Sequence, residues 1–146
     1  MKKYIGTKII EAEPMNLGDY NKFRGWTIPA DEDPKLPGSR VVYEDGYVSW
    51  SPAEAFKAYR PCDAMTFGLA IEAMKARHRV ARAGWNGKGM WLCYVAQGHF
   101  DVGVGTVGAG CEGLYPWIGM RTADQKFVPW LASQTDMLSE DWMICD

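Results

Sequence analysis

Long apolar runs, closely spaced metal-ligand residues and an excess of positive charge are all missing from this sequence. No run approaches the roughly 20 apolar residues that a membrane-spanning helix needs, and the first residues lack the apolar stretch of a signal peptide. The net charge of −2 is far from the basic balance typical of proteins that bind DNA or RNA. We therefore expect a cytoplasmic protein that binds neither nucleic acid nor a membrane.

Cysteine and histidine are scarce. The cysteines form no C-x-x-C pair, and a serine or cysteine nucleophile would need a histidine base that no recognised motif supplies. The residues concerned are Cys62, Cys93, Cys111, Cys145, His78 and His99. This pattern indicates free, buried thiols and predicts no metal site and no cofactor.

Aromatic residues, by contrast, make up 13% of the chain and include seven tryptophans. Trp91, Trp117 and Trp142 lie in predicted strands, which favours positions in the core or at an interface. Trp85 and Trp130 lie at predicted turns, and a nucleobase stacked on such a ring contributes about 1–3 kcal/mol. The residues alone leave two roles open for the turn tryptophans: they either stack on a flat ligand or pack at the ends of the hydrophobic core.

The residue pattern of the sequence changes at residues 59–63, and we predict a boundary there between domains 1–62 and 63–146. The first domain is short, so we expect it to pack on the second domain or on a partner subunit. Its hairpin prediction rests on an Asp-Gly pair, and its helix prediction on a serine cap with a glutamate three residues later. The predicted elements are a strand over residues 4–12, a mostly irregular stretch with little core over 16–38, a hairpin over 41–50 and a helix over 52–59.

The second domain opens with Thr66 as the cap of an amphipathic helix that ends near Ala76. Ser133 is predicted to cap a brief helix that runs to Leu138. Antiparallel strands account for the remaining apolar segments, which span residues 80–83, 90–96, 117–121, 127–130 and 142–145. One main helix with a small antiparallel sheet predicts an α+β fold.

A glycine-rich stretch at residues 103–108 matches the G-x-G-x-x-G dinucleotide fingerprint literally. That fingerprint requires a helix that starts at the third glycine and directs its N–H groups at a pyrophosphate, whereas residues 109–113 continue as loop. We therefore interpret the stretch as a surface loop that is able to close over a ligand.

The charged residues of the second domain fall into two groups of opposite sign. The basic residues between positions 75 and 88 either pair with the acidic C-terminal segment or contact phosphate. Strand alternation predicts that Arg79 and Arg82 lie on different faces. The acidic residues form either a solvated face or paired carboxylates for acid–base chemistry; they are Asp136, Glu140 and Asp141.

Two stretches of the second domain resemble one phage protein family. The first comprises residues 66–75 and 80–90 with Gly84-Trp85-Asn86-Gly87, and the second comprises 120–124, 128–138 with Pro129-Trp130-Leu131, and Glu140-Asp141-Trp142. Together, over residues 65–146, they resemble the second type of Thoeris anti-defence protein. Residues 1–62 lie outside the resemblance, and we interpret them as a phage accessory module without an assigned role.

The resemblance implies a protein that acts as a sponge rather than an enzyme. Members of this family are similar in having an α+β fold and in forming homo-oligomers, here a tetramer or a dimer, with ligand pockets at subunit interfaces. They capture glycocyclic ADP-ribose, an immune signal made from NAD, and so leave the NAD-depleting effector idle. Some relatives also capture cyclic oligonucleotides of a CBASS-type system at a separate site.

The same resemblance assigns the site residues. Trp85, Asn86 and Trp130 lie inside the matched motifs and are implied to contact the ligand. Polar and basic partners are implied for the ribose hydroxyls, the purine and the pyrophosphate: Ser133, Thr135, Asp136, Arg82 and Lys88.

Three alternatives stay open at this point. The ligand is a cyclic di- or trinucleotide instead; or the protein is a hydrolase of a nucleotide signal, with Asp136, Glu140 or His99 in acid–base roles; or it is a protein-interaction module that acts through its N-terminal segment. Stacking surfaces and phosphate contacts serve both nucleotide ligands, so the sequence does not separate them.

Overall fold

Two antiparallel sheets organise the chain. The computed structural model describes residues 1–85, 88–96 and 115–146. The chain divides into unit 1, Met1–Arg60, and unit 2, Pro61–Asp146, and each unit contains one of the sheets. Helices combined with antiparallel sheets confirm the predicted α+β class. No described helix is long and apolar enough to cross a membrane.

Unit 1 contains a three-stranded sheet and two helices. The strand order is β1-β2-β3, so β1 and β3 form the two edges. The elements are β1 (Ile10–Pro14), α1 (Leu17–Arg24), β2 (Gly38–Tyr43), β3 (Val48–Pro52) and α2 (Ala53–Phe56).

The hairpin between β2 and β3 is confirmed. The Tyr43 N–H donates to the Tyr47 carbonyl at 2.9 Å, and the Gly46 N–H donates to the Tyr43 carbonyl at 2.8 Å. Gly46 has φ +81°, a left-handed conformation that glycine adopts without steric cost. The Asp-Gly pair therefore closes this hairpin as its chemistry predicts.

Helix α1 corrects the prediction that residues 16–38 are mostly loop with little core. The Asn16 side chain accepts a hydrogen bond from the Asp19 N–H at 2.8 Å, and Gly25 ends the helix with φ +69°. Tyr20 from this helix is 5% exposed and belongs to the core. The prediction failed because α1 has few apolar residues, so its caps, rather than a hydrophobic stripe, mark it in the sequence.

Two further predictions in unit 1 are wrong in their bounds. The strand expected over residues 4–12 begins only at Ile10, and the preceding residues are exposed and carry no strand. Ser51 lies within β3 instead of capping a helix, and Pro52 takes the cap position of the short helix α2. The pairing of Ser51 with Ser39 in the sheet outweighs its capping tendency.

Unit 2 contains a five-stranded antiparallel sheet with the order β7-β6-β5-β4-β8 and two helices. The predicted strands and helices of this unit are confirmed to within one or two residues. They are α3 (Phe67–Lys75), β4 (Val80–Arg82), β5 (Trp91–Val95), β6 (Trp117–Arg121), β7 (Phe127–Pro129), α4 (Gln134–Leu138) and β8 (Trp142–Ile144).

The core of unit 2 lies between α3 and one face of the sheet. Thr66 caps α3 as predicted, by accepting a hydrogen bond from the Leu69 N–H. Full burial of an aliphatic side chain contributes about 1.5–3 kcal/mol, so this layer stabilises the unit. Its buried members are Met65, Ala70, Ala73, Met74, Val80, Leu92 and Trp142.

Strand β8 closes the sheet as predicted, but a neighbouring segment covers its outer side. Met65 and Trp142 exchange two backbone hydrogen bonds, of 2.8 and 3.2 Å, and the Ile144 N–H donates to the Cys62 carbonyl at 2.9 Å. The backbone groups of this edge are therefore partly satisfied by the chain that leads into α3.

The three described cysteines are free, but the prediction that they are buried is wrong. Cys62 is exposed, and Cys93 and Cys145 are half-buried. Cys62 lies in the covering segment beside β8, at the surface of the unit. Three features that the sequence analysis named lie outside the described residues: Cys111, His99 and the glycine-rich stretch 103–108.

Candidate functional site

The two turn tryptophans meet at one end of unit 2. The ring centroids of Trp85 and Trp130 lie 6.4 Å apart with an interplanar angle of 65°. Each ring also packs edge-on against Trp142, at 5.5 and 6.0 Å. Phe67 completes the group at 5.8 Å from Trp130 and 5.2 Å from Trp142. We call these four residues the aromatic cluster.

Regular structure fixes the positions of these rings. Trp85 ends a short 3-10 turn, Ala83–Trp85, that follows β4 directly. Trp130 follows β7, and its N–H donates to the Ile118 carbonyl at 2.9 Å, which prolongs the pairing with β6. Trp142 is fully buried, whereas Trp85 and Trp130 are half-buried. The two turn tryptophans therefore have one side in the core and one side available to solvent.

Arg82 lies between two carboxylates next to the aromatic cluster. Its Nη1 donates to Asp136 Oδ1 at 2.9 Å, and its Nε donates to Asp141 Oδ1 at 2.9 Å. The side chains of Arg82 and Asp136 are 17% and 16% exposed. We call these three residues the ionic cluster, and it ties β4 to α4 and to the start of β8.

The ionic cluster keeps all three groups charged. The hydrogen bonds that Arg82 donates to Asp141 and Asp136 raise the pKa of Arg82. Burial tends to raise the pKa of Asp136, but hydrogen bonds from Ser133 and Arg82 outweigh it, so that this pKa is lowered. The hydrogen bond from Arg82 lowers the pKa of Asp141. Both carboxyls are therefore ionised at neutral pH and are poorly suited to donate a proton.

Helix α4 presents the polar residues of the predicted site. Ser133 caps this helix as predicted: its Oγ accepts from the Asp136 N–H at 3.0 Å and donates to Asp136 Oδ2 at 2.6 Å. The Trp142 indole N–H donates to the Asp136 carbonyl at 3.0 Å, which joins α4 to the aromatic cluster. Ser133 and Thr135 are exposed.

The remaining predicted site residues lie beyond these contacts. Lys88 is exposed on the connection between β4 and β5, where the neighbouring Gly89 carbonyl accepts a hydrogen bond from Arg121. Asn86 lies outside the described residues. The structure thus brings together Trp85, Trp130 and the ionic cluster, with Ser133 alongside, and it shows no contact between them and Lys88.

The predicted basic group divides between two places. Arg82 pairs with the acidic C-terminal segment, which was one of the two roles left open for it. The Arg79 guanidinium lies 5.3 Å from the ring centroid of Trp91 and its Nε lies 3.7 Å from Asp146. His78 also pairs with Asp146, through Nδ1 and Oδ2 at 2.5 Å. Arg79 and Arg82 therefore contact different groups.

Two cavities in the described part of the chain lie away from the turn tryptophans. A groove of about 580 Å³ lies in unit 1, between α1, the loop that follows it and the start of β3. A smaller pocket of about 310 Å³ lies in unit 2, beside the end of α3 and β5. Trp85 and Trp130 line neither of these cavities, and both rings are partly exposed.

The chemistry of the described residues favours binding over catalysis. Burial raises the pKa of the Cys93 and Cys145 thiols, which makes both poor nucleophiles at neutral pH. The ionised carboxylates of the ionic cluster are held by Arg82. Half-exposed indole rings beside hydroxyl groups, in contrast, suit the stacking and hydrogen bonding of a nucleotide.

Phe67 and Trp142 are the members of the aromatic cluster that the sequence did not assign to the site. Trp142 was expected in the core or at an interface, and Phe67 belonged only to the apolar stripe of the predicted helix. Phe67 is the first residue of that apolar stripe, and it faces the end of the sheet where the turn tryptophans lie. The stripe was therefore the sequence signal that could have assigned Phe67 to the site. The convergence of four rings from separate segments depends on the fold.

Comparisons with known proteins agree on unit 2. A family model described as the Thoeris anti-defense 2-like domain matches residues 65–145. Thoeris anti-defense 2 of Bacillus phage SP01 is 41% identical to the chain over 83 residues, which cover 55% of this chain and 93% of that relative. The family match includes the aromatic cluster, the ionic cluster and α4, and it begins after the end of unit 1.

Proposed function

The chain belongs to the Thoeris anti-defense 2-like family, as its motifs predicted, and on that premise we propose that it sequesters a nucleotide immune signal without cleaving it. The signal proposed is a glycocyclic ADP-ribose. By capturing it in the cytoplasm of an infected bacterium, the protein keeps the Thoeris effector inactive. No cofactor takes part.

The observation that carries this proposal is the pair of half-exposed rings, Trp85 and Trp130, 6.4 Å apart. Because their planes are inclined by 65°, an adenine that stacks on one ring meets the edge of the other. Both rings are held from behind by buried Trp142, so little conformational entropy is lost when a ligand binds. Such a preformed stacking surface favours tight binding.

Polar groups around the rings are proposed to hold the rest of the ligand. The exposed Thr135 hydroxyl suits a ribose hydroxyl, and Ser133, which donates its own hydrogen to Asp136, retains a lone pair to accept one. Asp136 retains oxygen lone pairs for a hydrogen bond to a sugar or the purine. Arg82 is already paired with two carboxylates, so its role is to position Asp136. Lys88, and Asn86 beside Trp85, are left for the pyrophosphate and the base.

A homo-oligomer is proposed to enclose the ligand. A sponge that lowers a signal to nanomolar free concentration needs a binding free energy near −12 kcal/mol, which an open surface of one chain provides poorly. A second subunit placed against the turn tryptophans would exclude water from both faces of the ligand. Closed symmetry would then give two or more equivalent sites per assembly, as a dimer or tetramer.

Mass spectrometry of released ligand tests the proposal directly. The purified chain is incubated with glycocyclic ADP-ribose isomers and cyclic oligonucleotides, freed of unbound ligand and denatured by heat. Release of an intact ADP-ribose isomer supports sequestration of the proposed signal. Release of a cyclic oligonucleotide alone reassigns the ligand, fragments indicate a hydrolase, and no release with an unchanged mixture overturns sequestration of these ligands.

Substitution of one ring tests the site. We expect Trp85→Ala to weaken binding of the released ligand about 5- to 150-fold, since stacking contributes about 1–3 kcal/mol. Isothermal titration calorimetry measures the Kd, and Trp85→Phe, which retains an aromatic ring, should recover part of the affinity. Trp91→Ala is the matched control because Trp91 packs with Phe127 and Arg79, outside both clusters. Equal losses for Trp85→Ala and Trp91→Ala would place the ligand elsewhere.

A further inference from the structure

We propose that unit 1 carries a homotypic docking site, in which residues 1–9 of one copy add as a strand to the open edge of β3 in a second copy. We call residues 1–9 the arm. The site goes beyond the proposed signal binding, because it lies outside the residues that match the family model. Four observations on unit 1 support it.

The outer edge of β3 presents backbone groups that no other strand of its sheet bonds. In the register of the hairpin, Val41 is opposite Ser49 and Val42 is opposite Val48. The Met15 N–H donates to the Gly38 carbonyl, which fixes the side of β2 that bonds to β1. By the alternation of an antiparallel ladder, the N–H and C=O groups of Val48 and Trp50 therefore point away from β2. Of these groups, the Val48 C=O accepts a hydrogen bond from the Tyr20 hydroxyl at 3.4 Å, and the two N–H groups and the Trp50 C=O are proposed to bond to the arm. Pro52, the next residue in that alternation, has no N–H to leave unpaired.

A groove lined by aromatic and charged side chains adjoins this edge. It has a volume of about 580 Å³ and includes Tyr20, Arg24, Trp26, Glu32, Tyr47 and Trp50 in its lining. Tyr47 is 64% exposed and Trp26 is 53% exposed, so large apolar rings face solvent next to open strand edges. Strand addition combines main-chain hydrogen bonds with pockets of this kind for alternate side chains.

The arm has a strand pattern that its own chain leaves unused. β-Branched residues alternate at Ile5, Thr7 and Ile9, and this pattern predicted a strand that in the structure begins only at Ile10. Tyr4 is 87% exposed and Ile5 is 101% exposed. A segment that exposes such residues gains free energy by burying them on a partner.

Charge complementarity identifies the arm as the occupant. Three of its residues are lysines; Lys8 lies over the Tyr43 ring of its own chain, 5.2 Å from the centroid, which leaves Lys2 and Lys3 for a partner. The groove is bordered by the acidic run at positions 31–33, of which Glu32 lies in its lining, while the one basic residue of the lining, Arg24, lies over the Trp26 ring. Because β1 and β3 form opposite edges, the arm of the same chain would have to wrap around the hairpin to reach its own groove. A second copy meets no such constraint, and two copies can exchange arms reciprocally.

Cross-linking of the full chain tests the proposal. Chains labelled with ¹⁴N and ¹⁵N are unfolded together, refolded by dialysis and treated with a carbodiimide, which joins a lysine amine to a carboxylate. We expect cross-links from Lys2 or Lys3 to residues 31–33 that contain both isotopes. Cross-links within one isotope only would show that the arm folds back on its own chain, and absence of these cross-links would also overturn the proposal.

A matched pair of variants tests the strand geometry. Val48→Pro removes an outward N–H that makes no bond to β2, whereas Val48→Ala keeps it. We expect the mixed-isotope cross-links to be lost in Val48→Pro and kept in Val48→Ala, with circular dichroism to compare the folds. Equal yields in the two variants would contradict strand addition.

A labelled synthetic peptide of residues 1–9 gives a readout that does not depend on refolding. Fluorescence anisotropy should show saturable binding to the full chain, weakened about 2- to 5-fold by Glu32→Lys, as expected for one surface charge pair. A scrambled peptide keeps the lysines but not the alternation, and a peptide methylated on alternate backbone nitrogens keeps the side chains but not the donors. If either binds as well as the native peptide, the arm is not recognised as a strand.

Discussion

At the scale of single residues, Arg82 shows how neighbours decide a role. The sequence left this arginine either a phosphate contact or a partner in the acidic C-terminal segment. In the structure its guanidinium binds Asp136 and Asp141, each at 2.9 Å, and both lie more than 50 positions away in the chain. Strand alternation predicted only that Arg79 and Arg82 lie on different faces, and spacing along the chain contains no information about those partners.

Removal of the Arg82 charge should destabilise unit 2. We expect Arg82→Met to lower the free energy of unfolding at pH 7 by about 1–3 kcal/mol, because two carboxylates that are mostly shielded from solvent lose their counterion. Urea unfolding followed by tryptophan fluorescence measures the loss. Lys75→Met is the control, since Lys75 pairs with Glu72 at the surface and its loss should cost under about 0.5 kcal/mol. Equal losses of stability in Arg82→Met and Lys75→Met would show that the partial burial of the ionic cluster contributes nothing to stability.

The same cluster predicts a direction for the effect of pH. The pKa values of Asp136 and Asp141 are lowered from their ordinary value of 3.8, so both bind protons less tightly in the folded chain than in the unfolded chain. Their contribution to stability is therefore present above pH 3.8 and is lost as pH falls through the lowered values. The stability gap between wild type and Arg82→Met should narrow over this acidic window in urea titrations at successive pH values. A constant gap would mean that Arg82 acts by packing alone.

At the scale of elements, the sequence was most informative where an apolar stripe coincided with a cap. Thr66 and α3 satisfy both criteria, and the helix was predicted within one residue of its ends. Helix α1 has the caps Asn16 and Gly25 without a stripe, and it was missed. The arm was predicted wrongly for the opposite reason. Its residues have the alternating pattern of a strand, but no strand of its own unit lies beside it.

Gly119 tests an element-level contact in the sheet of unit 2. Gly119 is buried, and a Cβ at this position would overlap the ring of Phe127 on the neighbouring strand. We expect Gly119→Ala to displace that ring and to lower the free energy of unfolding by about 1–3 kcal/mol in chemical denaturation.

Gly68 in the same unit is the matched control. A Cβ there meets only Thr66 Oγ1 at 3.9 Å, within an exposed turn of α3. Gly68→Ala should therefore stabilise the unit by about 0.5–1 kcal/mol, because alanine loses less backbone entropy than glycine in a helix. Effects of the same sign at both glycines would contradict the contact with Phe127.

At the scale of the whole molecule, signal binding is predicted to reside in unit 2. The relative from phage SP01 is covered over 93% of its length by an 83-residue alignment, so it has little room for a counterpart of unit 1. We expect residues 61–146 expressed alone to bind the signal with a Kd within about threefold of that of the full chain, by isothermal titration calorimetry. A loss of binding in a fragment whose circular dichroism shows that it is folded would assign unit 1 a part in the ligand site.

The α+β class, the helices and strands of unit 2 and the family follow from the sequence alone, because these depend on local periodicity, on caps and on the order of motifs. The sequence also singled out Trp85 and Trp130 through their places at turns. Which side chains meet depends on the tertiary structure: it joined the two rings through Trp142, bound Arg82 to Asp136 and Asp141, and left the arm and the outer edge of β3 without a partner strand. Such contacts join residues distant in the chain, and the fold that brings them together is set by burial of the whole core rather than by any local pattern.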